Sequence, residues 1–374
     1  MSGLPSQAAP AHQRLPGIDA LKGLACALIV WHHLAFYGPM SDVVYPHVPS
    51  LTDWLYHYGR MAVQVFLVVG GFLAAGSLAP AGVGVSGPLG RLIFRRYRRL
   101  LTPYLVALLA SVLVAALVRP WFDHPSVSAA PTVWQAVSHV LLLQDVLGQE
   151  ALSAGVWYVA IDFQLFVMSV LIFSLARRMQ KTFPDRSGWP AAIGIALVAV
   201  LAVLSLFVFN LEDELDMTGL YFFGAYALGM LAFWISRADR PGPWLLGLGA
   251  LGGLALLFDF RERLAVALAV AFGLVWLEHL RVRARPGRWL DHEGLSPLQS
   301  LGKMSYSVFL IHFPVCLLVN ALVAHFWPTH LLANGIGLFV AFGLSLLAGR
   351  ALYLGVESRR TTWFKRRMAG GVLP

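Results

Sequence analysis

The sequence predicts an all-α, polytopic integral membrane protein with about ten transmembrane helices and both termini in the cytoplasm. Three observations predict this fold class: the composition, the length of the apolar runs and the distribution of positive charge. Of the 374 residues, 58% are hydrophobic and only 13% are charged, and the mean hydropathy is +0.69, unlike an ordinary soluble domain. We therefore expect one transmembrane domain over residues 1–374, with a cytoplasmic tail at 1–18 and a basic cytoplasmic tail at 356–374.

Ten apolar runs, separated by polar or Pro- and Gly-containing clusters, have the length of roughly 17 to 25 residues that a transmembrane helix needs. In chain order they cover residues 19–38, 60–79, 98–118, 157–176, 189–209, 219–235, 242–258, 263–280, 303–326 and 332–355. The longest loop between them contains a fairly apolar piece from Val133 to Leu147. This piece is too short to span comfortably, and we expect a re-entrant or interfacial helix that could roof a cavity.

Positive charge is distributed unequally between alternate loops, and one side of the predicted spans collects most of the 28 Lys and Arg residues. The positive-inside rule places that side, and both termini, in the cytoplasm. An odd number of spans would mix the two sets of loops, so the charge distribution also supports the count. The net charge of +9 is then explained by topology and by attraction to anionic membrane lipids, and it requires no nucleic-acid partner.

The first span carries two ionisable groups on nearly the same face. Lys22 and His33 stand eleven residues apart, which corresponds to about 20° around a helix and about 16 Å along it. Ionisable groups at such depth are costly and usually functional. The alternative is that Lys22 extends to the interface and His33 makes a structural contact between helices.

The fourth span carries Asp162, which we expect about 7 Å below the outer surface, at a depth similar to that of His33. A carboxylate can orient an imidazole and leave its other nitrogen free to act as a general base. The alternative is a structural hydrogen bond to Tyr158 or to a neighbouring helix. Because Cys26 and Cys316 both fall inside predicted spans, neither a disulfide nor a cysteine-based metal site is indicated.

Four arginines lie close together where the third span begins. They are Arg95, Arg96, Arg98 and Arg99. Within this set, residues three apart face the same side of a helix and suit forked contacts with phosphate oxygens. The alternative is an ordinary positive cluster that marks the cytoplasmic side.

Polar groups also enter the ninth span, where Ser305, Tyr306 and His312 interrupt an otherwise apolar run. Histidine at this position is as consistent with a satisfied core residue as with the lining of a substrate channel. In the second span, Gly70 and Gly71 favour close helix packing, with room for a thin ligand as the alternative.

Six short motifs occur in order along the chain: DALKGLACALIVWHH, FLVVGGFL, RRYRRLLTPY, VWYVAIDFQLF, LGKMSYSVFLIHFP and YLGVE. On these motifs the chain resembles, over nearly all its length, the membrane acyltransferase 3 family of integral-membrane O-acyltransferases that modify bacterial surface glycans and lipids. Three positions depart from the family pattern. Lys22 stands where Arg is commoner, Gly70 where Ser is usual and Asp162 where Glu is usual.

The resemblance implies transfer of an acyl group, in the first place acetyl, from cytoplasmic acyl-CoA to a hydroxyl of an exported polysaccharide or glycolipid, in the inner membrane of a bacterium. The implied catalytic residues are His33 as general base and Asp162 orienting it. The implied contacts with acyl-CoA are Lys22, Arg95, Arg96, Arg98 and Arg99. Beyond the resemblance, we hypothesise that Ser305, Tyr306, His312 and Tyr158 contact the substrate, for positioning or for stabilising the oxyanion.

A proton-coupled transporter or exporter of a glycan or small metabolite is the alternative function. Intramembrane His and Asp residues would suit a proton relay. Transporters, however, often contain inverted repeats and broken helices in matching positions, and the two halves of this sequence show no such repeat by inspection.

Overall fold

The computed structural model describes residues 16–84, 87–182, 189–283 and 296–358, so most of both predicted tails lies outside the described residues. Within these ranges the chain is helical and contains no strand, which confirms the all-α prediction. In chain order the helices are α1 (Pro16–Phe36), α2 (Met40–Val44), α3 (Pro49–Tyr58), α4 (Ala62–Leu78), α5 (Leu89–Val118), α6 (Val133–Val140), α7 (Val156–Thr182), α8 (Trp189–Phe207), α9 (Gly219–Ile235), α10 (Pro241–Phe258), α11 (Glu262–Arg283), α12 (Ser296–Phe326) and α13 (Leu331–Leu352).

Among the described residues, nine helical segments are long and apolar enough to cross a membrane, and they correspond to nine of the ten predicted spans. One of them runs from Pro49 to Leu78 and joins α3 to α4. The tenth predicted span is α9, an apolar helix of 17 residues that is mostly buried. At about 1.5 Å per residue it covers roughly 26 Å, close to the thickness of a hydrocarbon core. The protein is therefore a multi-pass membrane protein.

The backbones of α1 and α12 touch where each helix carries a glycine. A Cβ added at Gly23 would collide with the backbone of α12, and one added at Gly302 would collide with the carbonyl of Asp19. The helices run in the same direction, and ten residues separate Gly23 from His33 just as ten separate Gly302 from His312. Ten residues are about 15 Å on both helices, so the two histidines reach the same level.

Glycines also bring α4 and α9 together. A Cβ at Gly71 would collide with the carbonyl of Tyr226, and a Cβ at Gly229 would collide with that of Val68. The packing interpretation of the small residues in the second span is therefore confirmed at Gly71. Its neighbour Gly70 faces a cavity instead.

The segment between α5 and α7, residues 119–155, turns back along α5. The Tyr97 hydroxyl donates a hydrogen bond to the carbonyl of Val140, at 2.7 Å. Tyr97 lies 21 residues before Val118, or about 32 Å along the helix, so the segment follows most of α5. The apolar piece of this segment is helical only within α6, where the Thr132 side chain caps the first turn.

Because this segment turns back, α7 starts inside the bundle. Ser153, three residues before α7, accepts a hydrogen bond of 3.0 Å from Ser111, which lies seven residues or about 10 Å before the end of α5. The depth expected for Asp162 rests on α7 starting at the membrane surface. That assumption is wrong, because the preceding segment turns back along α5 and α7 therefore begins below the surface.

Candidate active site

Two cavities lie at successive levels along α1, α4, α7 and α12. The first has a volume of about 340 Å³ and includes Lys22 of α1 in its wall; we call it the Lys22 cavity. The second has a volume of about 320 Å³ and includes His33, eleven residues further along α1; we call it the His33 cavity. Phe309 of α12 belongs to both walls. The volumes are at the lower end of the range of small-molecule sites.

Charged side chains of both signs line the Lys22 cavity. The cationic ones are Lys22, Arg96, Arg99 and Lys303, and the acidic ones are Asp19, Asp162 and Glu357. The Lys22 ammonium lies 3.7 Å from the Asp19 carboxylate, and Ser307 donates a 2.7 Å hydrogen bond to Glu357. The charges are close to balance, so this wall suits a polar ligand with donors and acceptors better than a highly charged one.

Three of these charged residues had no assigned role in the sequence argument. They are Asp19, Lys303 and Glu357. Glu357 lies within the YLGVE motif, which was the one available signal, whereas Asp19 and Lys303 are indistinguishable in sequence from ordinary charges at the end of a span.

The predicted arginine cluster divides between two faces of α5. Arg96 and Arg99 line the Lys22 cavity, whereas Arg95 and Arg98 are exposed on an adjacent face of the helix. The i, i+3 spacing therefore places one pair in the cavity and leaves the other pair accessible to a ligand beside it.

Arg96 and Asp162 form an ion pair on the wall of the Lys22 cavity. One guanidinium nitrogen of Arg96 lies 2.8 Å from Oδ1 and 2.6 Å from Oδ2 of Asp162, and the guanidinium also lies 5.3 Å from the ring centre of Phe166. The Asp162 carboxylate is thus held by a cation and belongs to the Lys22 cavity. The prediction that Asp162 orients His33 is wrong, because α7 starts inside the bundle and brings Asp162 to the level of Arg96.

The partner of His33 is another imidazole. Nδ1 of His33 lies 2.6 Å from Nε2 of His312, and Nδ1 of His312 lies 2.8 Å from the carbonyl oxygen of Phe309. A carbonyl oxygen only accepts, so the hydrogen-bond network assigns the proton of neutral His312 to Nδ1, and its Nε2 accepts from Nδ1 of His33. Nε2 of His33 is then left unprotonated, which is the state that a general base requires.

His312 therefore supplies the orientation that the sequence argument assigned to Asp162. It is fully buried and lies behind His33, whereas His33 itself reaches the cavity wall. The sequence signal for this pair was the histidine of the LGKMSYSVFLIHFP motif, and the equal ten-residue spacing from the two glycines explains why the pair forms.

The other predicted substrate contacts, Ser305, Tyr306 and Tyr158, all line the Lys22 cavity. The Tyr306 hydroxyl donates to the carbonyl of Leu100 at 2.9 Å, and the Ser305 hydroxyl donates to that of Gly302 at 2.9 Å. Both hydroxyl protons are thus directed at backbone carbonyls, and the hydroxyl oxygens can still accept hydrogen bonds from a ligand.

Residues from the chain between α1 and α4, together with the start of α7, complete the His33 cavity. Its wall includes the side chains of Tyr37, Tyr56, His57, Arg60 and Trp157. The α3 helix, which carries Tyr56 and His57, is held near α1 by a 3.0 Å hydrogen bond between Nδ1 of His32 and the carbonyl of Leu55. These residues have no role predicted from the sequence, where the high aromatic content of α3 was their only signal.

Comparison with known proteins adds three findings. A family model described as an acyltransferase domain matches residues 15–351. The chain is 23% identical over 349 residues to the "Putative peptidoglycan O-acetyltransferase YrhL" of Bacillus subtilis (strain 168), and the match covers 82% of this chain and 49% of that protein. The chain thus spans about half the length of the curated relative it matches. No solved structure matches it. Since the family model covers most of the chain, this membrane protein belongs to the acyltransferase 3 family.

Proposed function

We propose that the protein is a membrane O-acyltransferase that moves an acyl group, in the first place acetyl, from cytoplasmic acyl-CoA to a hydroxyl of an exported polysaccharide or glycolipid in the inner membrane of a bacterium. One observation carries the proposal: an oriented imidazole lines one of two cavities that share the Phe309 side chain, while cations line the other. Membership of the acyltransferase 3 family and the printed name of the relative support acyl transfer to a glycan.

The Lys22 cavity is the proposed donor site. The phosphates of acyl-CoA would bind the exposed guanidinium groups of Arg95 and Arg98 beside the cavity, together with Arg99 on its rim, because guanidinium groups match phosphate oxygens. The uncharged pantetheine arm would then enter the cavity, where charges are close to balance and the oxygens of Ser305 and Tyr306 can accept from its amides.

The His33 cavity is the proposed acceptor site. The acceptor hydroxyl gives its proton to Nε2 of His33 while its oxygen forms a bond to the thioester carbon. The carbon–sulfur bond then breaks, and the leaving thiolate takes the proton from His33, so that an ester and free CoA result. His312 keeps Nδ1 of His33 in a donor role throughout and thereby holds the lone pair of Nε2 towards the cavity.

The test of this function is acyl transfer by purified protein in nanodiscs, with radiolabelled acetyl-CoA and a crude surface-glycan acceptor. We expect His33→Ala to lower transfer by roughly 10²- to 10⁴-fold, the usual contribution of a general base. His47→Ala, at an exposed histidine between α2 and α3, is the matched control and should transfer normally. If the folded wild-type protein neither bound acetyl-CoA nor transferred its acyl group, the transporter alternative would replace this proposal.

A further inference from the structure

We propose that the side chain of Phe309 is a movable partition between the donor and acceptor cavities. It keeps water of the His33 cavity away from the donor thioester, and it turns aside when the acyl group advances towards His33. The catalytic meaning of the partition rests on the proposed function. The partition itself is a statement about the geometry of the bundle and can be tested without any activity.

At one level of the bundle, residues that line the His33 cavity are followed along α4 and α7 by residues that line the Lys22 cavity. On α4, Val63 lines the His33 cavity and Phe66 lines the Lys22 cavity. On α7, the adjacent residues Trp157 and Tyr158 divide in the same way. On α12 the change falls on Phe309, which lines both cavities. Phe309 therefore lies where the two spaces would join.

Aromatic and backbone groups hold the Phe309 ring in this position. Its centre lies 5.4 Å from that of Tyr158, edge to face, and 6.3 Å from that of Phe66. A Cβ added at Gly155 would lie 2.8 Å from the ring, and Gly155 has a φ of +82°, which other residues rarely adopt. Phe309 as a whole is 4% exposed. It is thus packed from several directions, and Gly155 leaves just enough space for it.

The backbone of Phe309 has a separate structural role, because its carbonyl accepts the hydrogen bond from Nδ1 of His312. The helix therefore has to stay in place for His33 to remain oriented. The ring can turn about its own side-chain bonds without moving that carbonyl. One residue thus contributes a fixed backbone group to the orientation of the base and a movable side chain to the partition.

A partition is needed because both cavities reach exposed residues. Arg99 and Lys303 of the Lys22 cavity are exposed, and so are Tyr56 and Arg60 of the His33 cavity. If the cavities were joined, water could give its proton to His33 and its oxygen could bond to the thioester carbon in place of the acceptor. The products would be a free carboxylic acid and CoA. Excluding water from a reactive group is a general means of preventing such side reactions.

The partition is tested by thiol accessibility in sealed membrane vesicles of both orientations. Val63→Cys places a reporter thiol in the His33 cavity, and Cys26→Ala with Cys316→Ala removes the two native thiols, both buried. The probe is a small, membrane-impermeant cationic methanethiosulfonate. With Phe309 present, we expect labelling from the His33 side only, and with Phe309→Ala we expect labelling from the Lys22 side as well.

Phe313→Ala is the matched control, since it also removes a buried phenyl ring from α12 but lies outside both cavity walls as described. It should label like the protein with Phe309. Labelling from the Lys22 side while Phe309 is present would overturn the partition, and so would equal labelling of the Phe309→Ala protein and the control.

A second measurement separates the partition from the enzymatic role. We expect Phe309→Ala to hydrolyse acetyl-CoA without acceptor several-fold faster than wild type, whereas Phe313→Ala should not. If wild type transfers no acyl group but the labelling pattern holds, the partition stands and the proposed function fails. If transfer occurs and hydrolysis by Phe309→Ala stays at the wild-type rate, the catalytic meaning of the partition is wrong.

Discussion

At the scale of single residues, the hydrogen bond between His33 and His312 decides which nitrogen of His33 can act as a base. The chain of hydrogen bonds ends on the backbone carbonyl of Phe309, which can only accept a hydrogen bond. No carboxylate takes part in it. In the proposed reaction, the imidazolium formed on His33 would therefore be compensated only weakly by its partner, and this would favour rapid return of the proton to the leaving thiolate.

Substitutions of His312 should show whether this residue orients His33 through its hydrogen bond or only fills space behind it. In His312→Gln, the amide oxygen can occupy about the place of Nε2 and accept from Nδ1 of His33, whereas in His312→Leu nothing can accept. We expect His312→Leu to lose roughly 10- to 100-fold in kcat, a part of the 10²- to 10⁴-fold that a positioned general base contributes, and His312→Gln to retain most of the activity.

The measurement is kcat across a range of pH for both variants, with thermal unfolding to show that each is folded. A change in the acidic limb of the profile in the Leu variant, restored in the Gln variant, would support the orienting role. Equal loss in both variants would show that His312 acts through packing alone.

The ion pair between Arg96 and Asp162 predicts a non-additive effect on stability. Asp162→Leu leaves a partly buried guanidinium without its carboxylate, and breaking a fully buried pair in this way costs about 3–5 kcal/mol. We expect a smaller cost here, because 26% of the Arg96 side chain is exposed. The double variant with Arg96→Met should be more stable in thermal unfolding than Asp162→Leu alone, and a double variant that is less stable would contradict this account.

At the scale of helices, the contact of α1 with α12 positions the imidazole of His33, the proposed base. Gly302→Ala would press a methyl group against the carbonyl of Asp19, and the helices must separate to relieve the collision. We expect a lower unfolding temperature and reduced transfer in this variant, because separation also lengthens the bond between the two histidines. Gly343→Ala in α13 is the control, since a Cβ there has no atom within 4 Å; equal behaviour of the two variants would exclude the proposed contact.

Individual helices could be predicted from the sequence better than their pairing. Bilayer thickness sets the length of an apolar run, so all ten predicted spans appear as helices in the structure. No periodicity shows that α7 starts inside the bundle, and for this reason the partner of Asp162 was predicted wrongly. The spacing of Lys22 and His33 did predict two levels on one face of α1, and each residue lines a cavity at its own level.

At the scale of the whole molecule, the number of membrane crossings determines whether the two termini lie on the same side of the membrane. We predict that the nine long segments and the shorter α9 all cross the membrane, and ten crossings would place both ends of the chain on one side. We predict that reporters fused at either terminus both lie in the cytoplasm, and that a reporter at Asp239, between α9 and α10, lies there as well. Termini on opposite sides would mean that α9, or another helix, does not cross.

The cavities belong to this scale too, and the sequence could not reveal their division. Charged and polar residues in apolar runs are visible in a sequence, because they are unusual there. Phe309 is an apolar residue in an apolar helix and gives no such signal. Its position between the cavities follows from four helices that are distant in sequence, and only the folded bundle brings them together.

The return of residues 119–155 along α5 also bears on the order in which the protein assembles. Partners on α5 include Tyr97, for the backbone carbonyl of Val140, and Ser111, for the hydroxyl of Ser153, and unpaired backbone groups are costly in lipid. The segment should therefore dock only after α5 and its neighbours have entered the membrane and packed. Being the last part to dock, it should also be among the first to detach, and amide hydrogen exchange should be faster in residues 119–155 than in α1 or α12.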